Sequence, residues 1–359
     1  MRGPRGAALL LAAPAAATLL ALVVAAAVLQ LAGADPVVTL RDALAYGLRP
    51  ETLVAVVNKA IPYYLAGISA AIGFHLRLFN IGIDGQYRLA AFAAAVIGAA
   101  VAVPAPIHLA LIVTVALVVG WGWAAIAGLL YVRRGVNVVI STIMLNAIAT
   151  GVIAWLLSPE RLGQIAPGSN NVTTATISET GWIPAIPTPA GGLNGLVILA
   201  VLLGIGYWVV LNRTTLGFEV RAMGLSERAA TVAGIRAPRL ALLTMAASGA
   251  IAGLVGLPQL LGASHRFGLD FPAGLAFTGL SVAILGRNHP LGVAIGAFVW
   301  AFLERSAQVL DLAGISREVV TILQAVIVLS IVVAYELVRR VRARQERRYV
   351  AQTVEGAPA

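Results

Sequence analysis

HLALIVTVALVVGWGWAAIAGLLYV, residues 108–132, holds no carboxylate, lysine or arginine and ends directly against Arg133 and Arg134. A helix needs roughly 20 predominantly apolar residues to cross a hydrocarbon core about 30 Å thick. This one stretch is therefore long enough to span a bilayer. Reading outward from it, ten apolar segments emerge: Ala7–Gly33, Leu53–Leu76, Leu89–Val103, His108–Val132, Val136–Leu157, Leu193–Leu211, Leu240–Leu261, Phe271–Leu285, Leu291–Leu310 and Val319–Val338. Over 359 residues the chain is 60% hydrophobic and 11% charged, where a soluble domain carries about 25% charged residues. The pattern predicts an all-α membrane protein with about ten transmembrane helices.

Charge placement gives the expected orientation. Of the 25 basic residues only Lys59 is a lysine. With the N-terminus in the cytoplasm, the inner side holds Arg2, Arg5, Arg77, Arg88, Arg133, Arg134, Arg213, Arg221, Arg228, Arg236, Arg239, Arg287 and the arginines from Arg339 to Arg348. Basic residues gather on the cytoplasmic side of spans, so both termini are expected inside. A transmembrane domain then covers residues 1–345 and a cytoplasmic tail covers 346–359. The net charge of +10 follows the same rule. No run of base-stacking aromatics accompanies it, which argues against nucleic acid. The apolar stretch Ala7–Gly33 exceeds the core of a secretory signal and reads as a retained first span, with a cleaved signal as the alternative.

Segments three and eight are too short to cross as simple helices. Each adjoins a Gly-rich polar stretch, and each is third in a set of five. Paired short segments at matching positions of two halves point to a transporter's central site. Two inverted five-helix halves are expected, although they share no evident residue-level similarity. Two connections are long: residues 158–192 outside, either a solvated loop or a landing surface for an external partner, and residues 212–239 inside. In the inner one Ser226 is a candidate N-cap, Glu227 a first-turn acid and Gly234 a C-terminal cap. They define one short helix, Glu227–Ala233, either an idle surface connection or a handle for a soluble partner.

Candidate pathway residues fall in three places. Asn80, Asp84 and Gln86 lie in a Gly-interrupted stretch, where they could bond a polar solute or merely cap the next helix. Ser141, Thr142 and Asn146 lie on segment five, where bonding to a neighbouring helix is the structural alternative. Thr278 and Ser281 lie on segment eight, where back-bonding to their own helix is the alternative. There is no cysteine, which excludes disulfides and thiol chemistry. His75, His108, His265 and His289 form no i, i+4 pair, so no metal or other cofactor is expected. Lys59 has no Gly-x-x-x-x-Gly before it, which rules out a Walker-type phosphate loop on this chain. No catalytic constellation suggests an enzyme.

Five strings, FNIGIDGQ (79–86), STIMLNAIA (141–149), TTLGFEVRAMGLSERAATVAGI (214–235), SGAIAGLVG (248–256) and FTGLSVAILGRNHPLG (277–292), together resemble the branched permease family of bacterial ATP-binding-cassette importers. Within it, the likeness is to the nucleoside and simple-sugar permeases, and it covers roughly residues 50 to 335. The resemblance implies a permease pair (a heterodimer in preference to a homodimer), two cytosolic ATPase subunits, and an external substrate-binding protein or lipoprotein at the cytoplasmic membrane. It places Glu227, Ala229, Ala230 and Gly234 in the segment that docks on the ATPase. Glu219, Arg221 and Ser226 belong to the same string. Asp84 stands where the family more often has Glu, Tyr87 and Arg88 replace an apolar pair, and Ala147 replaces an aromatic residue. The expected function is nucleoside import, with simple-sugar import as the alternative. An ion-coupled secondary transporter or channel is the alternative of another class.

Overall fold

The computed structural model describes residues 19–312 except 21, 32 and 166–170, together with single positions between 319 and 340. It forms two compact units, one of residues 1–49 with 302–359 and one of residues 50–301.

In the first unit, α1 (Leu22–Leu31) and α2 (Pro36–Gly47) meet at a bend of 112°. Asp35 sets the start of α2: its carboxylate accepts from Val37 N–H at 2.8 Å and Val38 N–H at 3.1 Å, and Pro36 follows at the first helical position. Leu29 and Ala25 form a small core with Leu40, Ala43 and Val319. The apolar pattern alone does not show α2, because its polar residues interrupt the hydrophobic run. Most of the tenth expected segment, Val319–Val338, lies outside the described residues.

The second unit is a helical bundle: α3 (Pro50–Phe74), α4 (Ile83–Ala100), α5 (Ala105–Arg134), α6 (Val138–Leu156), α7 (Leu196–Arg213), α8 (Thr215–Leu225), α9 (Glu227–Val232), α10 (Ala237–Gly253), the single turn α11 (Leu257–Gln259), α12 (Leu275–Leu285) and α13 (Pro290–Leu312), whose last turns fall in the first unit. Five described helices are long and apolar enough to cross a membrane: α3, α5, α6, α7 and the continuous run Ala237–Ser264 that joins α10 to α11 and a π turn. The bent pair α1–α2 would make a sixth. Helix α5 extends past the apolar segment to Arg133 and Arg134. Basic side chains are stabilising at a helix C-terminus, and Gly135 in left-handed conformation (φ 66°) ends it.

Helices α5 and α10 meet at small residues. A side chain at Gly249 would strike the Gly120 carbonyl and Ala124, and one at Gly253 would strike the Ala116 carbonyl. Where lipid tails are as apolar as the helices, close backbone approach through small residues supplies the packing energy. On the opposite side, Gly279 of α12 lies against Ala66 of α3 in the same manner.

The connection between α6 and α7 is anchored rather than free-hanging. Two small antiparallel hairpins form in it, Gln164–Ile165 with Val172–Thr173 and Ala185–Thr188 with Gly191–Asn194. Backbone bonds tie Thr174 to Phe267, Ile177 to His265 and Ile183 to Leu261, at 2.8, 2.8 and 3.1 Å. Trp182 stacks on His265 at 3.9 Å, and His108 bridges Thr180 to the Gly98 carbonyl.

Gly249→Leu should prevent the approach of α5 and α10 and cost at least about 1–3 kcal/mol. Thermal unfolding in detergent should show it as a marked loss of melting temperature. Gly122→Ala, where added bulk meets nothing within 4 Å, should leave melting unchanged.

Candidate functional site

The chain leaves α3 at Phe74 and returns into the bundle before α4 begins. Inside a membrane such a turn is tolerated only if protein bonds the freed polar groups. Here the Asn80 amide does much of this. Its Oδ1 accepts from Gly82 N–H (3.0 Å) and from the Gln86 amide (3.0 Å), while its Nδ2 donates to Gln86 Oε1 (3.0 Å) and to Ser248 Oγ (2.9 Å). Ser248 on α10 is in turn locked to Ser69 on α3. Each serine hydroxyl donates to the other's carbonyl, Ser69 to Ser248 at 2.8 Å and Ser248 to Ser69 at 2.7 Å. Ser69, Asn80, Gln86 and Ser248 are all fully buried. Every donor of the Asn80 and Gln86 pair faces protein, so the pair fastens α3, α4 and α10 together.

Helix α4 starts earlier than its apolar run, and its first turns are polar. Asp84 reaches across to α12, where its Oδ1 accepts from Gly274 N–H at 3.0 Å and Ala276 N–H at 3.3 Å. A carboxylate is stabilised there, because the first N–H groups of a helix have no partner within it. Tyr87, one turn on, donates to the Pro272 carbonyl at 2.6 Å. The first turns of α4 and α12 thus meet, and Gly274 in left-handed conformation (φ 87°) leads into α12.

On α6, Ser141 and Thr142 are buried and bond back to the Val138 carbonyl at 3.1 and 2.7 Å. Asn146 instead braces the turn, accepting from Gly85 N–H at 2.8 Å and donating to the Ile81 carbonyl at 2.9 Å. Thr278 and Ser281 on α12 are half-buried. The eight expected pathway residues therefore divide. Asn80, Gln86, Ser141 and Thr142 are enclosed, whereas Asp84, Asn146, Thr278 and Ser281 reach the surface of the unit. Ser69 and Ser248 were not among the expected residues, since a serine in an apolar run carries no local sign of a partner 179 positions away.

At the arginine-rich end the 212–239 connection forms two helices, not one. Thr214 caps α8 by accepting from Gly217 N–H at 3.2 Å, and Ser226 caps α9 by accepting from Ala229 N–H at 3.3 Å. Glu227 lies in the first turn of α9, Ala230 is buried beneath it, and Gly234 (φ 89°) closes it with Ile235 N–H bonded to the Ala230 carbonyl at 3.0 Å. Glu219 is half-buried and Arg221 exposed on α8. Leu225 and Val232 are 85% and 91% exposed, an apolar pair left to a partner. The α8–α9 knuckle rests on the turn after α3. Gly224 lies against the His75 carbonyl, and Arg77 donates to the Gly224 carbonyl at 3.4 Å. A cavity of about 430 Å³ opens beneath, lined by Arg77, Tyr131, Met223, Ser226, Glu227 and Pro238 among others.

His75, just past the end of α3, bonds the Tyr207 hydroxyl at 2.9 Å, and that hydroxyl donates to the Asn288 carbonyl at 2.7 Å. The phenol proton is thereby used, so His75 Nε2 is the donor.

The family described as "Branched-chain amino acid transport system / permease component" matches residues 52–332. The chain belongs to this permease family. A guanosine ABC transporter permease of Bacillus subtilis is 33% identical over 293 residues, covering 78% of this chain and 81% of the relative. A glucose ABC transporter permease of Haloferax volcanii is 31% identical over 347 residues (87% and 90%), and a nucleoside ABC transporter permease of Lactococcus lactis 31% over 282 (76% and 77%). The permease is a multi-pass protein of the cytoplasmic membrane and a transport subunit, not an enzyme.

Two predictions separate fastening from pathway. Asn80→Ala strands the Gln86 amide and Gly82 N–H, each at about 1–3 kcal/mol, removes one of the bonds to Ser248, and should sharply lower the melting temperature of the permease. Thr278→Val should shift stability by no more than about 0.5 kcal/mol.

Proposed function

We propose that this permease forms the translocation path of an ATP-driven nucleoside importer. The observation that carries the reading is the capped knuckle α8–α9. It presents Leu225 and Val232 outward and bears inward on the turn that begins the Asn80 network. A chain with no phosphate loop of its own needs a motor to push such a handle. Two cytosolic ATPase subunits would grip α9 through Glu227, Ala229, Ala230 and Gly234, with Glu219, Arg221 and Ser226 holding the knuckle in shape. ATP-driven closure would move the knuckle, and the His75–Gly82 turn would carry that movement to the junction of α4 and α12.

In this reading both termini are cytoplasmic, residues 1–345 form the permease domain and 346–359 a tail. The ten segments make two inverted halves of five, and α4 and α12 hold matching places in them. The reciprocal Ser69–Ser248 bonds between α3 and α10, each second in its set of five, support that relation. The path runs past Asp84, Asn146, Thr278 and Ser281, which offer amide, hydroxyl and one committed carboxylate to a neutral solute. A second permease chain, different from this one, lines the other side, and an external binding protein or lipoprotein delivers the solute onto the 158–192 connection. The names of the Bacillus and Lactococcus relatives favour a nucleoside. The Haloferax relative favours the second reading, a simple sugar.

In vesicles holding the complete transporter, uridine uptake should resist excess ribose; ribose displacing it overturns the solute assignment. Glu227→Ala should weaken ATPase association about tenfold with the bundle intact, comparable to about 1.4 kcal/mol. Gly234→Val should act likewise through backbone strain, since a β-branched residue disfavours φ of 89°. Unchanged association and uptake in both variants would remove the coupling role.

A further inference from the structure

Arg88 lies on the second turn of α4 and takes no part in the bonding around it. Its Nε is enclosed with no acceptor in reach. Among the described residues its guanidinium forms neither a hydrogen bond nor an ion pair. Asp84 precedes it by four positions, the spacing at which aspartate and arginine commonly pair on a helix. The Asp84 carboxylate is committed instead to Gly274 and Ala276 of the α12 start. An arginine nitrogen enclosed without a partner in a membrane protein is costly, and such a group ordinarily pairs or faces a cavity.

Direction follows from helical geometry. Each residue turns about 100° from the last, so Arg88 leaves α4 between the side of Asp84, which meets α12, and the side of Gly85, which meets Asn146 on α6. It therefore emerges between α6 and α12, where Asn146 and Thr278 are half-buried and Phe277 is 64% exposed. One turn further along α4 this side is shut. Phe92 packs edge-on against Phe267 at 5.7 Å, and Phe267 stacks on Phe271 at 4.6 Å.

We infer that Arg88 sets solute preference, its guanidinium fork taking the adjacent O6 and N7 acceptors of a 6-oxopurine nucleoside that passes between α6 and α12. The inference rests on the nucleoside reading above. Arginine presents its N–H donors in a rigid plane that matches paired acceptors, which a lysine cannot reproduce. Guanine offers N7 and O6 side by side, whereas adenine sets an N–H donor beside N7. A simple sugar sets one ring oxygen among hydroxyls that rotate, not two fixed acceptors side by side. Exposed Phe277, on the first turn of α12, offers a face on which the ring can stack.

The test uses the complete transporter in proteoliposomes, with ATP inside and the receptor outside. Guanosine, inosine and adenosine are each supplied at saturation, so that receptor affinity drops out. Arg88→Gln and Arg88→Lys should each lower the maximal uptake of guanosine and inosine about tenfold and leave adenosine within about twofold. An equal loss for all three purines overturns the inference. So does full activity of Arg88→Lys, which would mark a simple charge pair with the partner chain. Glucuronate as the solute whose uptake Arg88→Gln abolishes would also overturn it. Wild-type transporter that imports ribose and no nucleoside removes the underlying reading instead, and shows this before any variant is made.

Discussion

A main chain that leaves helical geometry inside lipid must find a protein partner for every N–H and C=O it frees, because no water is there to bond them. The rest of the bundle depends on how the Phe74–Ile83 turn meets that demand. Asn80 bonds Gly82, Gln86 and Ser248 at once, and Asn146 takes Gly85 and Ile81. Two segments distant in sequence, α6 and α10, are thereby fixed to one irregular stretch of ten or so residues. Fully satisfied buried networks of this kind specify a single arrangement, since any partial rearrangement strands groups where stranding is most costly.

That fixed stretch lies between two functions. On one side are His75 and Arg77, touched by the α8–α9 knuckle; on the other are Asp84 and Tyr87, which hold the beginning of α12. A displacement of the knuckle has few soft elements to dissipate in before it reaches the junction of the short helices. The side chains also sort by role. Those that close on one another are amides and serines in the interior, and those that reach the surface of the unit lie along α4, α6 and α12.

Five spans, α3, α5, α6, α7 and Ala237–Ser264, were legible in the sequence because lipid imposes length and apolarity on them. The Ser226 cap, first-turn Glu227 and Gly234 were legible too, since their partners lie within a few residues. What local pattern could not show has a common cause. Helix α4 begins six residues before Leu89, where Asp84 and Gln86 interrupt the apolar run; Asn80 satisfies Gln86, and the start of α12 satisfies Asp84. Helix α8 carries Gly217 and Gly224, poor helix formers, which are required because side chains there would strike the Leu211 and His75 carbonyls. The bonds from Asn80 to Ser248, from Asn146 to Ile81 and from Asp84 to the start of α12 cross between distant segments, and no spacing encodes those.

The Ser69–Ser248 pair has the geometry of a hinge pin. Because each hydroxyl holds the other helix's carbonyl, α3 and α10 can swivel about the line between them with both bonds kept, whereas a slide along either axis breaks both together. Rotation is thus left cheap and translation expensive at one buried point, which confines the relative travel of the two helices to a rocking arc.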